Sequence, residues 1–197
     1  LLQIDSIANY VGYLRNNPQE LDLLFKEVLI GVTSFFRDPA VWEFLRDTAL
    51  PALLEKYPDG HVLRAWVPAC SSGEEAYSLA IVFKETLERI KPNKHFELQI
   101  YATDLDGDAV DKARKAFYPI NVAADLTPER LARHFTAEEG GYRVKREIRE
   151  TVIFAPQNVI SDPPFTRLDI LCCRNLLIYF GPKKKKKVLP LFHYALN

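Results

Sequence analysis

The segment VLRAWVPACSSGEEAYS, which begins at Val62, limits the possible fold of this chain more than any other. A mostly apolar run of strand length leads into Ser71, Ser72 and Gly73, which provide a turn and a helix cap, and a helix with two carboxylates in its first turn follows. Such a junction is where a doubly wound sheet holds a ligand. The turn has only one glycine, so it fits the G-x-G-x-x-G pattern of pyrophosphate binding poorly and favours a ligand without a phosphate to cradle.

Alternating strands and helices after Val62 predict an α/β, doubly wound, Rossmann-like sheet with parallel strands and right-handed crossovers. The predicted strands and helices are Val62–Pro68, Gly73–Ile90, Leu98–Thr103, Gly107–Phe117, a last strand Leu168–Cys173, and a helix with Val188, Leu191 and Leu196. A helix capped at Thr127-Pro128 and a turn at Gly140-Gly141 predict a small antiparallel β flap at about 118–154. A complete sheet needs more strands, so we expect C-terminal strands to be missing from this chain.

Short helices are predicted before this sheet. Apolar residues recur at helical spacing at Ile4, Ile7, Val11 and Leu14, and again at Leu21, Leu24, Phe25, Val28 and Leu29. Asp38-Pro39 is then expected to cap and open another helix that runs through Ala49. Pro51 should bend or break that helix.

The charge balance argues against several classes of partner. Lys and Arg together number 26, as do Asp and Glu, so the formal net charge is zero. No overall field therefore attracts nucleic acid or an anionic membrane. No segment has the length and apolar character of a membrane span and no signal-type N-terminus is visible, so we expect a cytoplasmic protein without membrane insertion. The only run of like charges, Lys183–Lys187, is interpreted as a solvated helix start.

The cysteines and histidines predict neither a disulfide framework nor a metal site. Three cysteines are an odd number, and two of them are adjacent as Cys172-Cys173. With Cys70 they are interpreted as small reduced core residues. The four histidines lack the spacing of zinc ligands.

Three acidic residues lie where such a sheet binds ligands. Asp104 follows the second strand, where a carboxylate can accept hydrogen bonds from both hydroxyls of a ribose; alternatively it caps the next helix, the role we favour for Asp106. Glu74 and Glu75 lie in a helix first turn, where the dipole stabilises carboxylates whatever their function. We expect Glu74 to face the ligand and Glu75 to face solvent. S-adenosylmethionine, a nucleoside without phosphate groups, suits such a site.

Three other segments place polar side chains near predicted strand ends or helix starts. TSFFRD contains Thr33 and Arg37 beside two aromatic rings, and Arg37 either lies along the surface or presents its guanidinium to a carboxylate. In APQNV, Asn158 either contributes an amide beside an adenine or is a turn residue. CRNLLIYF follows the last strand and supplies Arg174, Asn175 and Tyr179.

The order TSFFRD, PACSSGEEAYS, ATDLD, QNV and CRNLLIYF resembles the CheR-type chemotaxis receptor methyltransferases, from about Leu21 to Asn197. Several motifs are most similar to the methyltransferase domain of proteins that fuse it to a methylesterase and sensor domains. The resemblance implies an S-adenosylmethionine-dependent protein-glutamate O-methyltransferase that forms methyl esters on glutamate side chains in the cytoplasmic domain of chemoreceptors. It also implies that residues 1–30 are the remnant of a helical N-terminal domain and that residues 31–197 are the methyltransferase domain, incomplete at its C-terminus.

The same resemblance implies roles for individual residues. Arg37 and Tyr179 would be catalytic, and the cofactor-binding residues would be Thr33, Glu74, Asp104, Asn158, Arg174 and Asn175. The flap would dock a receptor tail by strand addition, with Arg143, Lys145, Arg146 and Arg149 either attracting an acidic tail or forming the solvent face of a hairpin. Two other interpretations stay open: a catalytically silent S-adenosylmethionine-binding regulatory module of a fused signalling protein, or a related methyltransferase with another substrate.

Overall fold

A computed structural model describes residue 4, residues 6–28, residue 31 and residues 33–197. Two compact units are present, one within residues 1–32 and the other comprising residues 33–197. Among the described residues, no helix is both long enough and apolar enough to cross a bilayer.

The first unit contains the two predicted helices, α1 over Ile7–Asn16 and α2 over Pro18–Val28. Ser6 caps α1, because its Oγ accepts a hydrogen bond from Asn9 N at 3.2 Å. The predicted apolar face of α1 is not buried: Ile7 is 84% exposed and Val11 44% exposed. Two helices of this length offer each other too little surface to cover both apolar faces. The predicted position Leu29 and the side chains of Phe25 and Val28 lie outside the described part of the chain.

The second unit begins with a helical segment that continues through Pro51, with a π-helical turn just before this proline. Helix α3 covers Pro39–Phe44, a π-helical turn covers Leu45–Ala49, and α4 continues over Leu50–Glu55. Proline has no backbone N–H to donate into the preceding turn, and a π turn accommodates that loss without stopping the helix. Asp38 occupies the N-cap position, but its side chain makes no capping hydrogen bond.

The remaining elements follow in chain order. They are β1 His61–Pro68, α5 Glu74–Ile90, β2 Phe96–Asp104, α6 Gly107–Lys115, β3 Phe117–Pro119, α7 Pro128–His134, β4 Phe135–Glu138, β5 Gly141–Val144, α8 Arg146–Arg149, β6 Val152–Pro156, β7 Ile170–Leu171 and α9 Pro182–Ala195. The main sheet has the order β6-β2-β1-β7 and every pairing in it is parallel. A separate antiparallel sheet has the order β3-β5-β4 and forms the predicted flap.

Two hydrophobic cores lie on opposite faces of the parallel sheet. Leu63, Ala65 and Val67 alternate along β1 and join the core that includes α5. Trp66 points the other way and packs with Val188 and Phe192 of α9. Helices therefore cover both faces, as predicted for a doubly wound sheet.

Three predicted boundaries were wrong. The flap ends at Val144, and Val152–Pro156 is instead an edge strand of the parallel sheet, in which Phe154 lies opposite Ala102. A short helix, α8, separates the two sheets where the sequence predicted only strands. The last predicted strand shrinks to Ile170–Leu171, and α9 ends before Leu196, which forms an isolated parallel bridge with Leu168.

Candidate active site

The strand order places a ligand crevice between the carboxyl ends of β1 and β7. From β1 the chain adds β2 and β6 on one side and then crosses to add β7 on the other side. Ligands of open α/β sheets bind where the direction of strand addition reverses in this way. The turn after β1 and the CRNLLIYF segment after β7 both lie at this point.

The turn between β1 and α5 is held in a conformation that few residues adopt. Ala69 and Ser71 have φ of 58° and 48°, and Gly73 has φ of 95°. Cys70 N donates to Thr103 O at 2.9 Å, which fixes the turn against the end of β2. A Cβ on Gly73 would lie 2.9 Å from Ala113 Cβ and 3.1 Å from the Phe154 ring, so only glycine fits between α6 and β6.

Asp104, the last residue of β2, joins two loops at this edge. One carboxylate oxygen accepts from Ser71 N at 2.7 Å, and the other accepts from Asp106 N at 2.9 Å. Asp106 is the residue that caps α6, because its carboxylate accepts from Asp108 N and Ala109 N. Asp104 is therefore not the helix cap, and each of its oxygens retains capacity for a ligand hydroxyl.

Glu74 is buried beneath the turn, with 9% of its surface exposed. Ser72 Oγ lies 2.9 Å from both of its carboxylate oxygens and donates to them. Burial raises the pKa of Glu74, while backbone and Ser72 hydrogen bonds oppose that rise. Tyr118 of the flap donates its hydroxyl to Ser72 O at 2.7 Å, so the flap is tied directly to this turn.

Arg174 links the segment after β7 to the TSFFRD loop. One of its guanidinium nitrogens, Nη2, lies 2.6 Å from both Arg37 O and Asp38 Oδ2. The guanidinium carbon is 5.2 Å from the centre of the Trp42 ring, and Trp42 Nε1 also donates to Arg37 O. Its Nη1 atom is buried and makes no hydrogen bond within the described part of the chain.

Glu75 does not face solvent, which corrects the expectation from the sequence. Its side chain is 16% exposed, one carboxylate oxygen lies 3.7 Å from Arg174 Nη1, and the other accepts from the Cys172 thiol at 3.1 Å. Burial raises the pKa of Glu75, whereas the Cys172 hydrogen bond and the charges of Arg174 and Arg37 lower it. Both neighbouring acids are thus inside the site, and sequence reasoning missed Glu75 because one helical turn can present two adjacent side chains to different parts of one crevice.

Packing and hydrogen bonds to its backbone hold the loop that carries Thr33 and Arg37. Phe35 is buried, with its ring centre 4.9 Å from that of Tyr118 and 5.3 Å from that of Phe135. Phe36 N donates to Ser78 Oγ of α5 at 3.0 Å. Thr33 is half-buried two residues before Phe35. The structure thereby brings Arg37 to the Glu75–Arg174 group, but it shows no side-chain contact that joins Thr33 to that group.

Asn158 lies in a turn after β6, as its structural alternative predicted. Its side-chain oxygen accepts from Ile160 N at 3.0 Å, and its backbone N donates to Asp162. The preceding residue, Gln157, donates its backbone N to Asp104 O at 2.8 Å. Gln157 Oε1 is buried and has no hydrogen-bond partner among the residues that the structure describes, which makes it a candidate ligand contact that sequence reasoning missed.

Asn175 and Tyr179 lie on the outer part of the same edge. Asn175 is exposed and has φ of 58°, a left-handed conformation that asparagine tolerates better than most residues. Tyr179 lies in the 3-10 turn Leu177–Tyr179 and is 55% exposed. Neither side chain contacts Asp104 in the structure, although both follow β7 at the carboxyl edge that Asp104 also occupies.

The cysteine thiols are unsuited to nucleophilic chemistry. All three cysteines are free, and Cys70 is buried. Burial raises the pKa of the Cys70 and Cys172 thiols and raises that of Cys173 to about 12. The thiols are therefore protonated at neutral pH and inert.

Comparison with known protein families matches residues 31–197 to the CheR methyltransferase, SAM binding domain. The chain belongs to this family. Membership in the CheR family makes S-adenosylmethionine the ligand of the crevice and agrees with the Rossmann-like sheet described above.

Individual relatives extend the comparison. An uncharacterized 104.1 kDa protein from the hypE 3' region of Rhodobacter capsulatus is 40% identical over 195 residues, which are 99% of this chain and 20% of that protein. Chemotaxis protein methyltransferase 1 of Pseudomonas aeruginosa is 37% identical over 168 residues, which are 84% of this chain and 61% of that protein. The solved DszA carbon methyltransferase is similar with a TM-score of 0.48 and 12% identity, over 81% of this chain and 33% of that one. This chain thus spans less than two thirds of either curated relative.

Polar groups at the crevice fit S-adenosylmethionine, which carries ribose hydroxyls, an amine and a carboxylate. Asp104 retains capacity to accept from hydroxyls, and Gln157 Oε1 can accept from an amine N–H. The buried Arg174 Nη1, which makes no hydrogen bond among the described residues, can donate to a carboxylate. The CheR family ligand therefore finds both acceptors and a donor at the crevice.

Proposed function

We propose that this chain transfers a methyl group from S-adenosylmethionine to glutamate side-chain carboxylates in the cytoplasmic domain of chemoreceptors. Its membership in the CheR family and its similarity to relatives such as chemotaxis protein methyltransferase 1 support the proposal. The observation that carries it is the pair Arg174 and Arg37 beside Glu75, at the crevice where the ligand binds. Such a site suits a reaction in which a carboxylate from another protein must be oriented.

When bound, S-adenosylmethionine supplies a methyl group on a positively charged sulfur, which a carboxylate oxygen can take directly while the sulfur keeps the bonding electrons as a neutral thioether. A glutamate side chain with a pKa near 4.3 is already ionised at neutral pH. The chain therefore needs no general base. Its task is to orient the glutamate and to exclude water around it.

Arg37 and Tyr179 are the residues that we propose to orient the incoming glutamate. An arginine that held the nucleophile too tightly would stabilise the ground state, because the carboxylate loses its charge during transfer. Glu75 opposes such tight binding, since its own carboxylate already lies beside Arg174 and within the field of Arg37. We propose that Thr33, Glu74, Asp104, Asn158, Arg174 and Asn175 hold the cofactor.

Incubation with radiolabelled S-adenosylmethionine and receptor-containing membranes tests the reaction. We expect labelled receptor that releases labelled methanol in base, as a methyl ester does. Cofactor binding without transfer would instead support the silent regulatory module. Base-stable label on another protein would support a methyltransferase with a different substrate.

Two substitutions test the assigned roles. Arg37→Ala is expected to lower turnover at least tenfold with little change in cofactor affinity, because Arg37 is assigned to the nucleophile. Asp104→Ala is expected to weaken cofactor binding about tenfold or more and to destabilise the fold by about 1–3 kcal/mol, since Ser71 N and Asp106 N lose their acceptor. Calorimetry and kinetics on both variants provide the measurements. Arg133→Ala, on an exposed arginine of α7 that pairs with Glu88, is the control.

We also propose that an edge strand of the flap docks a receptor tail by strand addition. The structure weakens the idea that the flap attracts an acidic tail by charge. Arg143 pairs with Glu138 at 2.6 Å, and Arg146 pairs with Glu150 at 2.6 Å. Docking there would depend on backbone hydrogen bonds, so capture of receptor tails should vary little between low and high salt.

A further inference from the structure

Unneutralised positive charge is concentrated at the start of α9, where the sequence reads Gly181-Pro182 and then five lysines. Lys183, Lys184, Lys186 and Lys187 are exposed and Lys185 is half-buried. Within the described part of the chain none of the five forms an ion pair with an acid. Lys184 makes only a contact with an aromatic ring, its Nζ lying 5.9 Å from the centre of Phe180.

This arrangement opposes the stability of the helix. The N-terminus of a helix carries partial positive charge and favours acids, yet the first turn of α9 contains none. Lysines three and four positions apart also repel each other on a helix surface. Natural sequences accept local conflicts of this kind mainly where a function requires them.

Three of the lysines share the outward side of α9. Val188, Phe192 and Ala195 are buried and define the side that packs on the sheet. At about 100° per residue, Lys183 and Lys186 fall roughly opposite that side and Lys187 lies a little over 90° from its centre, whereas Lys184 and Lys185 lie only about 50° from it. Lys183, Lys186 and Lys187 are called the lysine ridge below.

The lysine ridge begins close to the reactive end of the crevice. Lys183 is four residues after Tyr179, so their Cα atoms lie within about 14 Å of each other even if the chain between them is fully extended. A helix rises 1.5 Å per residue, so this distance corresponds to about nine residues of a helical substrate. Acidic residues of a helical substrate within about nine residues of the target glutamate can therefore contact the lysine ridge.

We propose that the lysine ridge binds acidic residues of the methyl-accepting protein within about ten residues of the target glutamate. This inference rests on the proposed function, because the target carboxylate defines where the substrate lies. The unpaired positive charge of the ridge supports the assignment, whereas Arg143 of the flap and Arg146 of α8 are already paired within the chain. An anionic membrane is the other surface that lysines attract, but the ridge begins within about 14 Å of Tyr179, where the target glutamate of a protein substrate is proposed to lie.

Binding of two synthetic helical peptides to the full chain tests the proposal. Both peptides carry one central glutamate; one has four further glutamates within ten residues of it, and the other has glutamines at those four positions. We expect the acidic peptide to bind more tightly at 50 mM salt and to lose most of that advantage at 500 mM salt. The triple variant Lys183→Gln, Lys186→Gln, Lys187→Gln should bind the acidic peptide about tenfold more weakly and the neutral peptide unchanged.

A matched triple variant, Lys56→Gln, Lys91→Gln, Lys112→Gln, removes the same charge from exposed lysines elsewhere and should bind both peptides as the unsubstituted chain does. Thermal unfolding should show the ridge variant to be at least as stable as the unsubstituted chain, because repulsion and the dipole conflict are removed. Cofactor affinity should not change in either variant.

The outcomes separate this proposal from the proposed function. Equal affinity of the ridge variant and the unsubstituted chain for the acidic peptide would overturn the ridge assignment, even if methyl transfer is observed. Ridge-dependent binding to phosphatidylserine vesicles without preference for the acidic peptide would overturn it in favour of a membrane surface. Ridge-dependent peptide binding without any methyl transfer would support the ridge and contradict the proposed reaction.

Discussion

At the scale of single residues, the two neighbouring acids at the start of α5 have different environments. Ser72 holds Glu74 beneath the turn, whereas Glu75 lies between the Cys172 thiol and Arg174. The sequence identified both acids in the first turn of α5 and predicted that Glu74 faces the crevice, but it predicted wrongly that Glu75 faces solvent. It could not say which side chain points where, since that depends on Arg174, which is about a hundred residues later in the chain.

The raised pKa of Glu75 predicts a pH-dependent effect of Glu75→Gln. Because burial raises the folded-state pKa above the unfolded value, ionisation of Glu75 opposes folding. Below the unfolded-state pKa, Glu75 is protonated in both states and does not reduce stability. As the pH rises through the folded-state pKa, its ionisation lowers the free energy of unfolding. The free energy of unfolding of the unsubstituted chain should therefore fall relative to that of Glu75→Gln between pH 4 and pH 7.

Urea unfolding of both proteins at several pH values measures this difference. Glu139→Gln serves as the control for the substitution itself, because Glu139 is exposed. A profile for Glu75→Gln that is flat with pH would mean that Glu75 does not ionise in a buried environment.

At the scale of elements, the turn between β1 and α5 depends on close packing from three sides. Gly73 has positive φ and lies against Ala113 of α6 and Phe154 of β6. The crevice therefore depends on β6, a strand that the sequence had placed in the flap. Periodicity in Tyr142–Phe154 indicated strand structure but could not say which sheet each strand joins, because pairing partners are distant in sequence.

Gly73→Ala is expected to destabilise the fold by about 2–4 kcal/mol and to reduce cofactor binding. The added Cβ meets two neighbours at 2.9–3.1 Å and also imposes an unfavourable φ. Gly107→Ala is the matched control, because a Cβ at that helix start meets nothing within 4 Å. Denaturant unfolding and calorimetry of the two variants would contradict the packing argument if both behaved alike.

Other elements show what local sequence can and cannot predict. The boundaries of β1, α5, β2 and α6 were predicted within about two residues, since each combines a clear period with a cap or turn. The effect of Pro51 was harder to predict, because a π turn depends on the packing of the helices on both sides of it. The sequence correctly predicted that Asp106 caps α6, because Asp106 immediately precedes that helix.

At the scale of the whole molecule, the contacts described for the candidate site lie within the second unit. The hydrogen bonds of Asp104, Glu74, Glu75 and Arg174 involve only residues from 33 onward. In the first unit, α1 has no buried residue. The assignment of residues 1–30 to a separate helical remnant stays a prediction that truncation can test.

A chain that begins at residue 31 is expected to fold and to bind S-adenosylmethionine with an affinity within about threefold of that of the full chain. The reason is that no described contact of the crevice would be removed. Near-ultraviolet circular dichroism and calorimetry of both chains provide the comparison. A truncated chain that folds but loses cofactor affinity more than tenfold would place part of the site before residue 31.

The hydrogen bond from Arg174 to Asp38 joins positions 136 residues apart. Amino-terminal residues leave the ribosome first, so the TSFFRD loop emerges long before the guanidinium that holds it. Until Arg174 has been synthesised, the turn between β1 and α5 is present without the hydrogen bond from Arg174 to Asp38. The crevice can therefore gain this contact only after translation has passed residue 174.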